Sequence, residues 1–364
     1  MEAEVAVVGG GILGISIAWG LQRMGRDVVV MDEGDFALRA SRGNFGLVWV
    51  QGKGYGMPDY TRWTRRSASL WPEFAEELED ATGIKLELSQ PGGVEFCLSD
   101  KESEETVLQL EQIRQTLGGD YPFELIQHDA LKKMIPEIGP DVIGATYCPE
   151  DGHVNPLYLL RALFTRFTAN GGRVVNGSRV KQIEKSDHGF RINSDNEIHA
   201  GKVVLCAGLG NRELGNMVGL RVPVEPSRGQ LLICERVVPF LKYPSVQIRQ
   251  VGEGAIQIGD SKENTGLNDS TTPNMIARIA RRAARIYPLL SHLRTIRTWA
   301  ALRVMSPDGF PIYQESDTCP GAFVVTCHSG ITLAAVHALA LARWIGGEVQ
   351  PANLESFSGK RFEV

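Results

Sequence analysis

The segment Glu4-Val-Ala-Val-Val-Gly-Gly-Gly-Ile-Leu-Gly14, read together with Val28-Val-Val-Met-Asp-Glu33, decides the fold of this chain. Val5 to Val8 is a short apolar run of the kind that forms a strand buried on both faces. Gly9, Gly11 and Gly14 then spell G-x-G-x-x-G where that strand turns into a helix. Gly9 permits the tight turn, Gly11 lets a pyrophosphate approach the backbone, and Gly14 lets the helix pack on the strand. The free N–H groups and the dipole at the helix N-terminus favour an anion there. Ile17, Ala18 and Leu21 give the helix an apolar face, and Gly25 stops it. Val28 to Met31 is the second strand, and Asp32 at its end can accept hydrogen bonds from an adenosine ribose. Strand, glycines, helix, second strand and acid at these spacings predict a dinucleotide site rather than a plain tight turn.

A chain of 364 residues can bury a large core and is long enough for two domains. Hydrophobic content of 43% and charged content of 22% are those of a globular protein, and a net charge of −5 gives no sign of a nucleic-acid partner. Arg278, Arg281, Arg282 and Arg285 lie at helical spacing and read as a solvated helix face, with a docking face for another subunit as the alternative. The six cysteines are scattered without a C-x-x-C pair, which fits a reducing compartment and argues against a metal or iron–sulfur site. No apolar run reaches the roughly 18 residues of a membrane span, and no signal peptide precedes the first strand. A cytoplasmic location is expected, with any membrane association through partners.

The loop Arg39-Ala-Ser-Arg-Gly-Asn-Phe-Gly46 is too small and polar to be core and is able to wrap a cofactor's phosphates and ring. A helix is expected from Pro58 to Gly83, with Trp63, Leu70, Trp71, Phe74 and Leu78 at spacings of three and four. Ile84 to Ser89 alternates like a strand, and Gly92 to Leu98 reads as another. Gly152-His-Val-Asn-Pro156 is a turn before a helix, with Asn155 as cap and Pro156 at the first helical position. Strands follow at 173–175, 180–184, 189–192 and 202–208, the last bringing Ala207 and Gly208 back beside the cofactor. Residues 221–260 are strand-rich, and a helix runs from Pro273 to Tyr287. Near the end, the strand Ala322 to Cys327 is turned by His328-Ser-Gly-Ile-Thr332 into a helix over 333–345. That second strand–glycine–helix junction offers a further helix N-terminus to an electron-rich ligand group.

In this order the pieces resemble the D-amino-acid oxidase family of FAD-dependent oxidoreductases, which includes glycine oxidase, sarcosine oxidase and the hydrogen cyanide synthase flavin subunit. The resemblance spans nearly the whole chain. It rests on G-x-G-x-x-G to Asp32, Gly152-x-Val-x-Pro156, Val204-Leu-Cys-Ala-Gly208, Arg228-Gly-Gln230, Trp299-Ala-Ala-Leu-Arg303 with Asp308-Gly-x-Pro311, and His328-Ser-Gly-Ile-Thr-Leu-Ala334. The loop at 40–46 and the modest length look most like the flavin (β) subunits of heteromeric opine and D-hydroxyproline dehydrogenases. The implied fold is α/β, a Rossmann-like FAD-binding domain with a second antiparallel-sheet α+β substrate domain. Residues 1–85, 148–218 and 300–364 would form the former, and 86–147 with 219–299 the latter.

The resemblance implies FAD along Gly9, Gly11, Ile12, Leu13, Gly14, Asp32 and Glu33, then Ser41, Asn44, Gly46 and Leu47, with Val180 at the adenine. Ala207 and Gly208 would flank it, and backbone N–H groups at Gly330, Ile331 and Thr332 would face the flavin pyrimidine. Members with covalent flavin carry a cysteine soon after the position of Arg303; Val304, Met305 and Ser306 stand here, so the FAD should be non-covalent. The implied reaction is hydride removal from an amine-bearing carbon, with Arg303 pinning the substrate carboxylate through its planar fork. Gln247 stands where relatives place a substrate-contacting tyrosine, and His328 is able to touch flavin or substrate. Sarcosine-oxidase-type relatives have a lysine over the flavin where this chain has Gln257. That difference favours a dehydrogenase passing electrons to a partner subunit over a stand-alone oxidase releasing hydrogen peroxide.

Overall fold

The computed structural model describes residues 1–34, 40–259 and 261–363; Arg39, at the head of the glycine-bearing loop, and residue 364 lie outside the described residues. The first strand, Glu2–Val8, sits near the middle of an eight-stranded sheet. Its neighbours are Val28–Met31 on one side and Glu197–Leu205 on the other, both parallel to it. Arg173–Val175 and Ala322–Thr326 extend the parallel set outward. Ile312–Glu315 closes one edge antiparallel, and the hairpin of Gln182–Ser186 and Gly189–Asn193 pairs with Glu197–Leu205.

Burial on both faces is why these strands read as unbroken apolar runs. Val5, Val7, Val28, Val30 and Val204 point into one core, packed by the helices Ile12–Arg23, Pro156–Ala169 and the C-terminal helix. Ala6, Val8, Val29, Met31, Val203 and Leu205 point into a second core beneath the hairpin. The mixed α/β fold expected from the sequence, with its parallel Rossmann-like sheet, is the observed one.

Antiparallel sheets make up the rest. Ile248–Gln250, Ala255–Ile258, Glu225–Arg236 and Thr295–Met305 form a four-stranded sheet in that order. Gly93–Cys97, Gly144–Cys148 and Glu124–Gln127 form a three-stranded one. The helix Pro273–Ile286 covers one face of the larger sheet, packing Ile279, Ala283 and Ile286 with Leu232, Ile248, Ile256 and Ile258. The positions between those, Arg249, Gln257, Trp299 and Arg303 among them, face the other way, toward the loop at 43–46. Trp299 Nε1 donates to Gly43 O at 3.2 Å, and the Arg249 guanidinium lies 5.7 Å from the Phe45 ring centroid.

Some elements depart from the sequence reading. Ile84–Ser89 is not a strand: only Ser89 bridges, to His153, and Glu87 takes a φ of +56°. The backbone there is satisfied one residue at a time, Leu86 N–H by Glu79 and Leu86 O by the Asn155 N–H, so no ladder forms. Val180 precedes its strand, which begins at Gln182, and the strand before Ala207 ends at Leu205. The arginine-bearing helix is solvated as its spacing suggests, with Arg278, Arg281 and Arg285 exposed, and it also carries ion pairs within the chain. Arg282 pairs with Glu102 and Arg285 with Asp141, so that face is pinned within the chain. The last helix contains a π-turn over His337–Leu341, where Gly20 approaches so closely that a Cβ on it would lie 2.2 Å from Ala338 O. No helix among the described residues is long and apolar enough to cross a membrane.

Candidate active site

Gly9 and Gly14 are dictated by sterics. Gly9 has a φ of +107°, and a Cβ on Gly14 would lie 1.8 Å from Gly9 O. Gly11 differs, since a Cβ there meets only Ser41 Oγ, at 3.1 Å. The space left there suits a phosphate group that approaches the helix start from outside. Ser41 Oγ accepts from the Ile12 N–H at 2.9 Å, so the loop at 40–46 folds over that helix N-terminus. Asp32 closes the second strand and accepts from the N–H groups of Gly10 at 2.7 Å and Gly34 at 3.0 Å. Glu33 stands exposed at the rim with Arg179 at 3.7 Å. Asn44 Oδ1 accepts from Gly46 N–H, and Leu47 pairs with His153. Ala207 N–H donates to Asn211 Oδ1, and Gly208, with a φ of +59°, abuts Val304. Val180 lies buried in the core with Val29 and Met31.

The C-terminal turn arrives at the same place. A Cβ on Gly330 would lie 2.6 Å from Leu13 Cδ1 and 2.8 Å from Ile12 Cγ2. Ile331 is buried. Thr332 is knotted into the frame: its Oγ1 donates to Leu47 O at 3.0 Å and accepts from Trp49 N–H at 3.2 Å, while its carbonyl accepts from Ser67 and Trp71. The N–H groups of Gly330, Ile331 and Thr332 have no acceptor among the described residues, which suits an electron-rich ring edge. Two cradles thus meet, one at Gly11 and one at Gly330. The residues present fit a flavin dinucleotide.

Arg303 is held on the sheet face turned toward this cradle. Its Nη1 donates to Ser261 O at 2.7 Å, and its guanidinium lies over Gly229, where a Cβ would be 2.6 Å from Nη1. Gln247 keeps its Oε1 buried without a hydrogen-bond partner among the described residues, while its carbonyl accepts from Gly259 N–H. His328 is neutral, its pKa held well below the usual value by burial and by the charges of Lys53, Arg303 and Lys262. The structure brings Arg303 and His328 into one electrostatic neighbourhood.

Two cations escaped the sequence reading. Lys53 Nζ lies 3.0 Å from Ser329 Oγ and 3.3 Å from His328 Nε2, and Ser329 Oγ also accepts from the Tyr60 hydroxyl at 3.0 Å. Burial, with Lys262 and Arg303 adding to it, lowers the Lys53 pKa to about 8. The available signal was a lysine between glycines in Gln51-Gly-Lys-Gly-Tyr-Gly56. Arg249, only 3% exposed, has neutral partners: Gln257 Oε1 at 2.8 Å, Val154 O at 3.0 Å and His153 Nδ1 at 3.2 Å. Burial pulls its pKa down to about 9. Gln257 therefore does not leave the face without positive charge; it holds an arginine on the neighbouring strand. The inference drawn from Gln257 against dioxygen loses its weight.

Comparison with known proteins agrees with this geometry. The chain matches the family described as FAD dependent oxidoreductase over residues 4–344. It is 42% identical over 365 residues to an opine oxidase subunit of Rhizobium meliloti, covering 100% of this chain and 98% of that one. The protein of the same name in Agrobacterium tumefaciens (strain Ach5) is equally similar, 42% over 365 residues. Among solved structures, the glycine oxidase of Geobacillus kaustophilus superposes with a TM-score of 0.91 at 24% identity, over 98% of each chain. The chain belongs to the DAO family of FAD-dependent oxidoreductases.

Proposed function

We propose that this chain is the flavin-bearing subunit of a heteromeric dehydrogenase that oxidises the C–N bond of an amino acid, an opine such as octopine or nopaline or else D-hydroxyproline. The observation that carries the reading is Arg303, seated over Gly229 on the sheet face turned toward the nucleotide cradle. Full-length similarity to a protein that is itself named as one subunit of an opine oxidase supports the heteromeric part. Residues 1–85, 148–218 and 300–364 would carry the cofactor, and 86–147 with 219–299 the substrate.

FAD, when bound, supplies a two-electron acceptor; Val304, Met305 and Ser306 stand directly after Arg303, where members with covalent flavin carry a cysteine. The protein's share is binding and orientation. Arg303 offers a planar fork that fixes a carboxylate bidentately and so aims the adjoining C–H. His328, neutral and with its Nε2 occupied by Lys53 and Ser329, is a fixed acceptor rather than a charge. Gly229 keeps the space that the guanidinium needs.

A stand-alone oxidase is the second reading, favoured by the cations Lys53 and Arg249, which would attract reduced oxygen species. Dye-linked turnover of purified protein against opines and D-amino acids, with and without co-expressed neighbouring subunits, separates the two. The proposal expects dye reduction that rises with the partner and little peroxide. Stoichiometric peroxide from the isolated chain at full rate would establish the oxidase instead.

A further inference from the structure

Arg249 is a buried cation that binding and orienting the substrate leave without a task. Its strand, Ile248–Gln250, pairs with Ala255–Ile258, and the register sets Arg249 opposite Gln257. A guanidinium offers five N–H donors. Nε–H goes to Gln257 Oε1 at 2.8 Å, and Nη1 to Val154 O at 3.0 Å and His153 Nδ1 at 3.2 Å. All three acceptors are neutral, since burial and Arg249 itself hold the His153 pKa down to about 3. The acid that acts on Arg249 among the described residues is Glu87, whose carboxylate is engaged by Asn155 Nδ2 at 3.1 Å. Burial outweighs it and brings the Arg249 pKa to about 9, which leaves the group charged at neutral pH. The two N–H groups of Nη2 have no acceptor among the described residues. They lie over Gly46, where a Cβ would be 2.8 Å from Nη2.

Gly46 fixes where that charge sits. Earlier in the same loop, Ser41 closes over the start of the first helix through the Ile12 N–H. One residue after the glycine, Leu47 O accepts from Thr332 Oγ1 at 3.0 Å, in the C-terminal turn of the cradle. Gly46 O accepts from Val154 N–H at 2.8 Å, and Val154 O holds the guanidinium. The cation therefore stands against the strap that joins the two halves of the flavin cradle.

We propose that Arg249 is an electrostatic partner of the FAD ring, a cation kept without an acid so that it stabilises the ring once reduction makes it anionic. Hydride leaving the carbon of a neutral amine makes an iminium and gives the neutral ring two electrons and a proton, hence one negative charge. A cation in a site of low dielectric lowers the energy of that charged state more than that of the neutral one, and so raises the reduction potential. Neutral partners are what this requires. An acid in place of Gln257 would cancel the charge, and open water would screen it. The role is the same for any amine donor and any electron acceptor, so it stands apart from the substrate reading.

The test is a redox titration of FAD-loaded protein, with its partner subunits where they co-purify, against reference dyes in the absence of dioxygen. Arg249→Met removes the charge and should lower the equilibrium constant for two-electron reduction roughly tenfold or more, about 30 mV in midpoint. Arg249→Lys should keep most of it. Gln257→Glu sets a carboxylate against Nε, neutralising the cation without removing it, and should lower the constant as well while leaving the thermal stability of the protein intact or raised. Sulfite, whose electron pair bonds the oxidised ring and leaves it with the same negative charge, should bind more weakly in parallel. A merely structural arginine would lose stability in Arg249→Met and leave the Gln257→Glu potential where it was. An unchanged potential in both variants would overturn the proposal. Should Arg249→Met fail to retain FAD, Gln257→Glu alone decides, and an unchanged constant there sinks it. Loss of FAD from both would make Arg249 part of the frame and overturn it too.

Discussion

Gly330 is seated on Leu13: a Cβ on the glycine would fall 2.6 Å from the leucine Cδ1. The contact joins the C-terminal turn to the first residues of the N-terminal helix, so the two nucleotide-facing junctions form one surface. Gly330→Ala must therefore move one against the other. We expect Gly330→Ala to fold but to lose FAD affinity by roughly tenfold or more, with a perturbed flavin spectrum in what remains bound. Unchanged affinity and spectrum would mean that the contact is incidental.

Gly11 and Gly14 should fail differently. A Cβ on Gly14 collides with Gly9 O at 1.8 Å, so Gly14→Ala damages the strand–helix packing itself and should yield insoluble or thermally weakened apoprotein. At Gly11 the nearest atom is 3.1 Å away, so Gly11→Ala should leave apoprotein stability nearly intact while flavin retention collapses. Thermal melts of the deflavinated proteins check this, and equal destabilisation by both would contradict it.

Arg303 should behave as a substrate anchor. Arg303→Lys keeps the charge and loses the fork, so kcat/KM should fall at least roughly tenfold, and Arg303→Ala should cost more, on the order of 2–5 kcal/mol. FAD content should hold in both variants. Loss of flavin with unchanged substrate affinity would assign the residue to the frame.

Acid should destabilise the protein through its buried histidines. His337 is fully buried and stays neutral down to about pH 3, while an unfolded histidine titrates at 6.5. Between those values the unfolded chain holds a proton that the native state does not. Stability therefore falls as pH falls, by about 1.4 kcal/mol per full unit below 6.5 for this group. His153, whose pKa burial and Arg249 bring down to about 3, adds a second such dependence. His337→Gln keeps a polar partner for the Tyr313 hydroxyl, which lies 2.8 Å from His337 Nε2. Its deficit relative to wild type in urea unfolding should shrink from pH 7 to pH 5; a constant deficit would show that His337 does not titrate on unfolding.

What the sequence determined by itself is what depends on neighbours along the chain. The turn from Val8 through Gly14 to Ile17 is legible because glycine sterics, apolar periodicity and a helix N-terminus are local properties. The same holds for Asn155 and Pro156, which cap and start a helix within a few residues. Alternation misled at Ile84–Ser89, because the carboxylate of Glu79 and the backbone of Asn155 claim Leu86 from elsewhere in the fold. The site was half legible. Arg303 could be placed by its motif, yet its seat over Gly229 depends on the register of Thr295–Met305 with Glu225–Arg236. Lys53 could not be placed at all: it meets His328 and Ser329 only once the C-terminal turn has folded back over the first helix, and no pattern within either segment encodes that distance. Arg249 was hidden in the same way, since alternation gives it a face but not the neutral partners around it. Charge in water is cheap wherever it sits in the chain; only the tertiary structure, by burying Lys53 against His328 and Ser329 and Arg249 among neutral partners, lowered the pKa of both.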